Sequence, residues 1–379
     1  MSTPNKTNFC PLPFAHATIT TNGAYKICCD HRTPFKHTSN INQISFNDWK
    51  KSDYVNEVKN SFSNNQRHPG CEQCWAREDV GQLSYRQRIT KEYSFFKTTT
   101  ESDQLVNVEI QLGNLCNLSC LMCGEFFSSA FLAENKRLGI NVYEQEDFIW
   151  SETAFENLDE ILKLQPKILN IRGGEPLYNK RLLDILEKIP EDACKKIMIH
   201  ITTNATVWPD QWHRVLKKFK LVRFMFSVDA IGELYEYIRF PGNWAMVENN
   251  IKQIVKLDNV KAMLHCVVQN LNINNMYELI QWSLEQNIWL EVDQLLHPTY
   301  LGLTNLPHDF KTQTLQQLEK CLSMPGLPNH LEKFIQNCQL QLEKALLSPE
   351  NTELWKTCVD NLTLRDQIRN NSHRKFLNY

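Results

Sequence analysis

The chain has 379 residues, 22% charged and 42% hydrophobic, with a formal net charge of −2 at pH 7. That length supplies core for one large domain or two, and the near-neutral balance excludes a general attraction to nucleic acid or membrane surfaces. No run of about 18 apolar residues marks a membrane span, and the opening seven residues carry no signal-peptide apolar stretch, so a cytoplasmic protein is expected. Thirteen cysteines then need an explanation, because reducing conditions disfavour structural disulfides and clustered thiols point to metal.

Residues 1–100 do not read as an α/β unit. Ala17–Ile27 is a hairpin signal, two β-rich runs about an Asn22-Gly23 turn. Cys10 precedes it and Cys28 ends it, at a C-x12-G-x4-C spacing when counted from Cys10. A polar helix over Ile44–Phe62 leads to Cys71-Glu-Gln-Cys74. A hairpin cysteine plus a turn C-x2-C builds four-thiolate sites, so Cys10, Cys28, Cys71 and Cys74 are candidate ligands of a zinc ribbon or of an iron–sulfur cluster. Cys29 could replace Cys28 or simply pack. Residues 75–105 read as a polar linker carrying a basic helix at Tyr85–Arg88, with the solvated-face reading preferred to a substrate contact.

From residue 106 the pattern alternates. Strands are expected at Val106–Leu112, Ile168–Arg172, Lys196–Thr202, Val222–Val228, Ala262–Val268 and Trp289–Gln294. Helices are expected between them at Phe126–Arg137, Asn179–Lys188, Pro209–Lys218, Trp244–Leu257 and Ile273–Gln286. Such alternation implies crossovers and a parallel sheet. After about residue 300 only helices follow, at Asp309–Ser323, Leu331–Leu347 and Glu353–Asn370. The expected domains are 1–100, 101–300 and 301–379.

The first expected strand of this series runs into Cys116-Asn-Leu-Ser-Cys120-Leu-Met-Cys123. Three thiolates at this C-x3-C-x2-C spacing suit one soft metal centre, and three ligands leave a four-iron cluster with one open iron. The second strand ends in Gly173-Gly174-Glu175-Pro176, where paired glycines let backbone approach a ligand and the glutamate can accept from an ammonium group. The third ends in Thr203-Asn204-Ala205, a cofactor contact or a plain turn. The fourth ends in Ser227-Val-Asp229, whose hydroxyl and carboxylate share one side of a strand. Arg239 is a candidate for bidentate pairing with a carboxylate, or for a surface salt bridge. Asn270 and His297 belong to the ends of the fifth and sixth strands. The five cysteines scattered singly from Cys194 to Cys358 read as small buried hydrophobes.

The cysteine loop, with Gly-Gly-Glu-Pro about 50 residues on, closely resembles the radical S-adenosylmethionine (SAM) enzymes. Met122 stands where an aromatic residue is usual, and Ala205 and Ala230 stand where glycines are usual. The N-terminal cysteine spacing resembles the auxiliary-cluster segment of the SPASM/twitch branch, which usually follows the catalytic domain. The resemblance implies an α/β fold, a partial (β/α)6 TIM-like barrel with an N-terminal hairpin segment and C-terminal helices. It implies a [4Fe-4S] cluster on Cys116, Cys120 and Cys123 and a second [4Fe-4S] cluster on Cys10, Cys28, Cys71 and Cys74. SAM would be bound by Gly173, Gly174, Glu175, Pro176, Asn204, Ser227, Asp229 and Arg239. It implies an oxidoreductase in which a low-potential flavodoxin or ferredoxin supplies one electron, SAM is cleaved, and the resulting radical abstracts hydrogen from substrate. The expected substrate is a peptide or protein, with a sugar or other small molecule as the alternative. A non-catalytic metal-binding or electron-transfer protein is the rival of another class.

Overall fold

The computed structural model describes residues 8–93, 104–140, 142, 148 and 150–377. The expected N-terminal stretch through Thr7, residues 94–103 of the linker and the last two residues lie outside these.

Eight strands form the sheet: β1 (His16–Ile19), β2 (Tyr25–Lys26), β3 (Asn107–Gln111), β4 (Ile168–Arg172), β5 (Met198–Thr203), β6 (Leu221–Ser227), β7 (Val260–Val268) and β8 (Trp289–Gln294). Their order is β2-β1-β3-β4-β5-β6-β7-β8. The pairs β1–β3, β3–β4, β4–β5 and β7–β8 are parallel, and only the hairpin pair β1–β2 is antiparallel among those given a register. This is the mixed α/β, partial TIM-like arrangement expected. The strand count differs: the hairpin is not a separate β element but adds two strands, because β1 pairs along β3 and brings Ala17 and Ile19 into the same buried layer.

The hairpin forms where Asn22-Gly23 announces it. Gly23 adopts a φ of +81°, and a β-carbon there would lie 2.8 Å from Asn40 Oδ1. The single polar helix expected over residues 44–62 is two helices, Phe46–Lys50 and Asp53–Ser63, because Ser45 and Ser52 each cap a new start. The helix Glu152–Lys163 escaped the periodicity reading. Ser151 caps it, and it buries Ala154, Leu158, Ile161 and Leu162 on one face. The three C-terminal helices fall at His308–Leu322, Asn329–Leu346 and Thr352–Arg369, within two residues of expectation.

The chain divides into two compact units. The first comprises Met1–Leu115, Glu144–Ile201 and Asp210–Val222; the second comprises Cys116–Tyr143, Thr202–Pro209 and Arg223–Tyr379. In the first unit, β1, β3, β4 and β5 share one wholly apolar face of Ala17, Ile19, Val108, Ile110, Leu169, Ile171, Ile199 and Ile201, all buried. Among the described residues no helix is long and apolar enough to cross a membrane.

Candidate functional site

The cysteine loop belongs to the second unit and is held there by its backbone. Ser119 N–H donates to Phe240 O at 2.6 Å, and Leu121 N–H donates to Ile238 O at 2.9 Å. The Ser128 hydroxyl donates to Leu118 O at 2.6 Å, and Cys116 N–H donates to Ser129 Oγ at 3.1 Å. Asn117 bridges to the end of β5: its amide donates to Thr206 Oγ1 at 2.8 Å, and the Asn204 amide donates to Asn117 Oδ1 at 3.0 Å. The same Asn204 amide lies 4.0 Å from Cys116 Sγ. Ala205 is held at a φ of +55°. That left-handed conformation is why glycine suits this position, and here alanine adopts it.

Cys116 and Cys120 both act electrostatically on Cys123. The Cys123 thiol is pushed up to about 12, first by burial and then by neighbouring Cys120 and Cys116. Burial also raises Cys120. Cys120 and Cys123, which resist ionisation, shed their protons when a cation takes their place.

One cation is built in. Arg239, 8% exposed, pairs through Nε with Asp229 Oδ2 at 2.7 Å, and its Nη1 donates to Cys120 Sγ at 3.7 Å. Asp229, 1% exposed, also accepts the Val267 N–H at 2.9 Å. Arg239 is therefore in a buried ion pair, not a surface salt bridge. Ser227, at the end of β6, is half-buried. The Asn270 amide donates to Tyr300 O and to Cys358 Sγ, and His297 is exposed.

Gly173–Pro176 belongs to the first unit and packs against the chain just before the cysteines. Gly173 has a φ of +89°, and a β-carbon there would lie 2.8 Å from Gln111 Cα. Gly174 has a φ of +52°, and its β-carbon would collide with the carbonyl of Leu115. Both conformation and space therefore demand glycine. Glu175 N–H donates to Leu115 O at 2.8 Å, and the buried Glu175 carboxylate accepts the Leu177 N–H at 2.9 Å, capping the turn Pro176–Tyr178.

The opposite face of the first unit's strands is polar. In register, Thr18, Glu109, Asn170 and His200 form one row across β1, β3, β4 and β5. Gln111 and Arg172 pair in the next row. Glu109 is 1% exposed; Arg172 donates to its Oε2 at 2.6 Å and Gln111 to its Oε1 at 3.0 Å. The sequence reading missed this face. Its signal was the alternation Asn107-Val-Glu109-Ile-Gln111, which spaces three polar side chains along one side of a strand.

Cys10, Cys28, Cys71 and Cys74 line a single small cavity together with Asp30, His31 and Arg86. Cys29 is not among its lining residues and is exposed. Burial pushes the Cys71 thiol up to about 12, with Cys74 adding to the rise. His31 Nδ1 lies 3.5 Å from Cys71 Sγ, and its Nε2 is 2.9 Å from the Tyr54 hydroxyl. Arg86 is not on a solvated face, as the basic-helix reading had it. It is 6% exposed, ion-paired with Glu78, and donates to Phe9 O at 2.7 Å. Glu78, eight residues before it, is the partner that makes burial possible.

Residues 110–283 match the model of the Radical SAM superfamily. The match supports membership of that superfamily. Curated relatives carry the name GTP 3',8-cyclase. The probable enzyme of Methanocaldococcus jannaschii is 21% identical over 68% of this chain and 80% of its own. The probable enzyme of Methanothermobacter marburgensis is 27% identical over 51% of this chain and 58% of its own. That of Limosilactobacillus fermentum is 26% identical, over 48% and 51%. Two of these three relatives are thus covered over little more than half their length. Among solved structures, Streptococcus suis SuiB bound to S-adenosylmethionine aligns with a TM-score of 0.39 at 16% identity, over 62% of this chain and 49% of that one. Native anSMEcpe with bound AdoMet and a peptide aligns with a TM-score of 0.39 at 18% identity, over 57% and 59%.

A member of the superfamily whose model matches residues 110–283 would hold a [4Fe-4S] cluster and SAM. The cysteine loop fits the cluster on its own chemistry: three soft sulfur donors, two of them close enough to Cys123 to raise its pKa, with a buried guanidinium beside Cys120. At Gly173 and Gly174 the missing β-carbons let the chain's own backbone at Gln111 and Leu115 come close.

Proposed function

We propose that this chain is a radical SAM oxidoreductase in which Cys116, Cys120 and Cys123 hold the SAM-binding cluster. The observation that carries the reading is the mutual proximity of these three buried and half-buried thiols in a loop whose backbone is fixed at Cys116, Leu118, Ser119 and Leu121. When bound, the cluster and SAM supply one-electron cleavage of the sulfonium and hydrogen abstraction from a substrate carbon. The chain's own residues hold and orient. Asn204 and Asn117 keep the loop against the end of β5. Gly173, Gly174, Glu175 and Pro176 form a tight turn after β4, and Ser227 offers a hydroxyl at the end of β6.

In the same reading, Cys10, Cys28, Cys71 and Cys74 hold a second, auxiliary cluster of the twitch kind. Their shared cavity supports this, and four thiolates complete such a centre, so its part would be electron transfer rather than substrate capture. A low-potential flavodoxin or ferredoxin is the expected donor. The substrate is polar. The row Thr18, Glu109, Asn170 and His200, its first two members buried and its last two half-buried, with Arg172 in the next row, offers hydrogen bonds rather than apolar contact. The relatives named for GTP cyclisation favour a nucleotide-sized substrate over the peptide expected from sequence. A sugar fits the same polar face.

Anaerobic reconstitution, iron counting and a SAM-cleavage assay test the reading. About eight irons per chain are expected from two four-iron centres, together with reductant-dependent 5′-deoxyadenosine. Zinc in place of iron, with no cleavage, would mark a binding module instead. Triple replacement of Cys116, Cys120 and Cys123 by alanine that left cleavage intact would remove the mechanism.

A further inference from the structure

Arg239 has nothing to gain from burial unless something holds its charge. The residue is 8% exposed, and its guanidinium is shared between two partners. Nε faces the Asp229 carboxylate at 2.7 Å, and Nη1 is directed at Cys120 Sγ at 3.7 Å. Asp229 is itself anchored, through its other oxygen, by the Val267 backbone N–H at 2.9 Å. The fork of Arg239 is therefore aimed by an element that does not belong to the cysteine loop. Cys120 is likewise fixed from both sides by the bonds of Ser119 to Phe240 and Leu121 to Ile238, so sulfur and guanidinium have little freedom to part.

A positive charge and an N–H donor beside a ligating sulfur favour the more negative, reduced state of an iron–sulfur centre, and both act strongly where water is excluded. A neighbouring carboxylate opposes this. We propose that Arg239 is a positioning residue for the Cys120 ligand, which donates to its sulfur and makes the centre held there easier to reduce, while Asp229 aims the guanidinium and limits its effect. The inference rests on the cluster reading above. It assigns Arg239 and Asp229 to the sulfur side of the site rather than to the carboxylate of SAM.

The test is the midpoint potential of the reconstituted full-length protein without SAM, taken anaerobically on the EPR signal that responds when SAM is afterwards added. Arg239→Gln is expected to move the potential to a more negative value, and Asp229→Asn to a more positive one. Opposite shifts from the two halves of one ion pair are not produced by loosened packing. Arg239→Gln protein that holds iron at an unchanged potential overturns the inference, as do two shifts of the same sign. If Arg239→Gln fails to hold iron, Asp229→Asn decides: a positive shift supports the assignment, and no shift or a negative one overturns it. Wild-type protein that binds no iron at these cysteines overturns the functional reading and the inference together. Iron present with unmoved potentials overturns the inference alone.

Discussion

Arg369, in the last turn of the C-terminal helix, donates through Nη2 to the carbonyl of Ser119 at 2.6 Å, inside the cysteine loop. It also donates to Tyr237 O at 3.2 Å and forks onto Glu134, which Arg365 shares. The helix Thr352–Arg369 thus fixes the backbone between two of the three central cysteines. All three charged groups are buried.

The clamp predicts what its removal does. Arg369→Ala strips the Ser119 and Tyr237 carbonyls of a donor. It also leaves Glu134 with Arg365 alone. The stability loss is expected at about 3 kcal/mol, the lower end for breaking a buried pair, since one partner remains. Glu134→Ala leaves two buried cations uncompensated and is expected to cost more. Urea unfolding of both variants checks the order. An Arg369→Ala protein within about 0.5 kcal/mol of wild type, the range of an ordinary surface change, would show that the clamp does not hold the loop.

Neighbouring cysteines should behave oppositely. Cys28 lines the cavity shared with Cys10, Cys71 and Cys74, while Cys29 is exposed and lies outside its lining. Cys28→Ala is therefore expected to lower iron content by about four per chain, one centre's worth, while Cys29→Ala leaves it unchanged. Iron and sulfide counts on anaerobically reconstituted protein read this directly. Equal losses from both variants would remove the four-thiol assignment.

Gly174 tests the turn after β4. A methyl there meets the Leu115 carbonyl, and its φ of +52° is one that side chains rarely adopt. Gly174→Ala is expected to destabilise the protein by about 1–3 kcal/mol through strain at a special backbone position. It is also expected to weaken SAM binding, measured by equilibrium dialysis, more than Gly124→Ala, where a β-carbon meets nothing within 4 Å. Equal SAM affinity in the two variants would detach this turn from the cofactor.

Much of the fold could be read from the chain because its signals are local. Each of β3 to β8 is a short β-rich run separated by helical periodicity, and the Asn22-Gly23 turn announces its hairpin. What escaped is non-local. Nothing in His16–Ile19 says that it pairs in parallel with Asn107–Ile110, since that pairing is chosen by a buried layer assembled from distant strands. The site divides in the same way. Cysteine spacing brings candidates together on paper, but Cys28 and Cys29 are distinguishable only once the chain's path decides which of two adjacent side chains enters the cavity. Arg86 read as part of a solvated helix face, and Arg239 as either a carboxylate-binding residue or a surface salt bridge, because a lone arginine carries no sign of its partner. Glu78 and Asp229 supply those partners, and only folding brings Asp229 to Arg239.

His16 gives a pH dependence of definite sign. It is fully buried on the polar side of β1, with Nε2 3.0 Å from the Thr18 hydroxyl. Burial, and then the charge of Arg172, lower its pKa from 6.5 to about 3. The folded protein therefore keeps His16 neutral at pH values where the unfolded chain is already protonated. Its contribution to stability is complete above pH 6.5 and is lost as the pH falls from there toward 3, at up to about 1.4 kcal/mol per pH unit. Below 3 both states are protonated and the contribution no longer changes. His16→Asn keeps a side chain able to bond Thr18 and removes the titration. The stability gap between wild type and His16→Asn should shift by about 2 kcal/mol against the wild type between pH 7 and pH 5, somewhat less than the full slope over the interval below 6.5. Urea midpoints at the two pH values measure that gap. A gap independent of pH would mean that His16 takes up its proton in the folded protein as readily as in the unfolded chain, and that the face it shares with Glu109 and Asn170 is wetter than its burial implies.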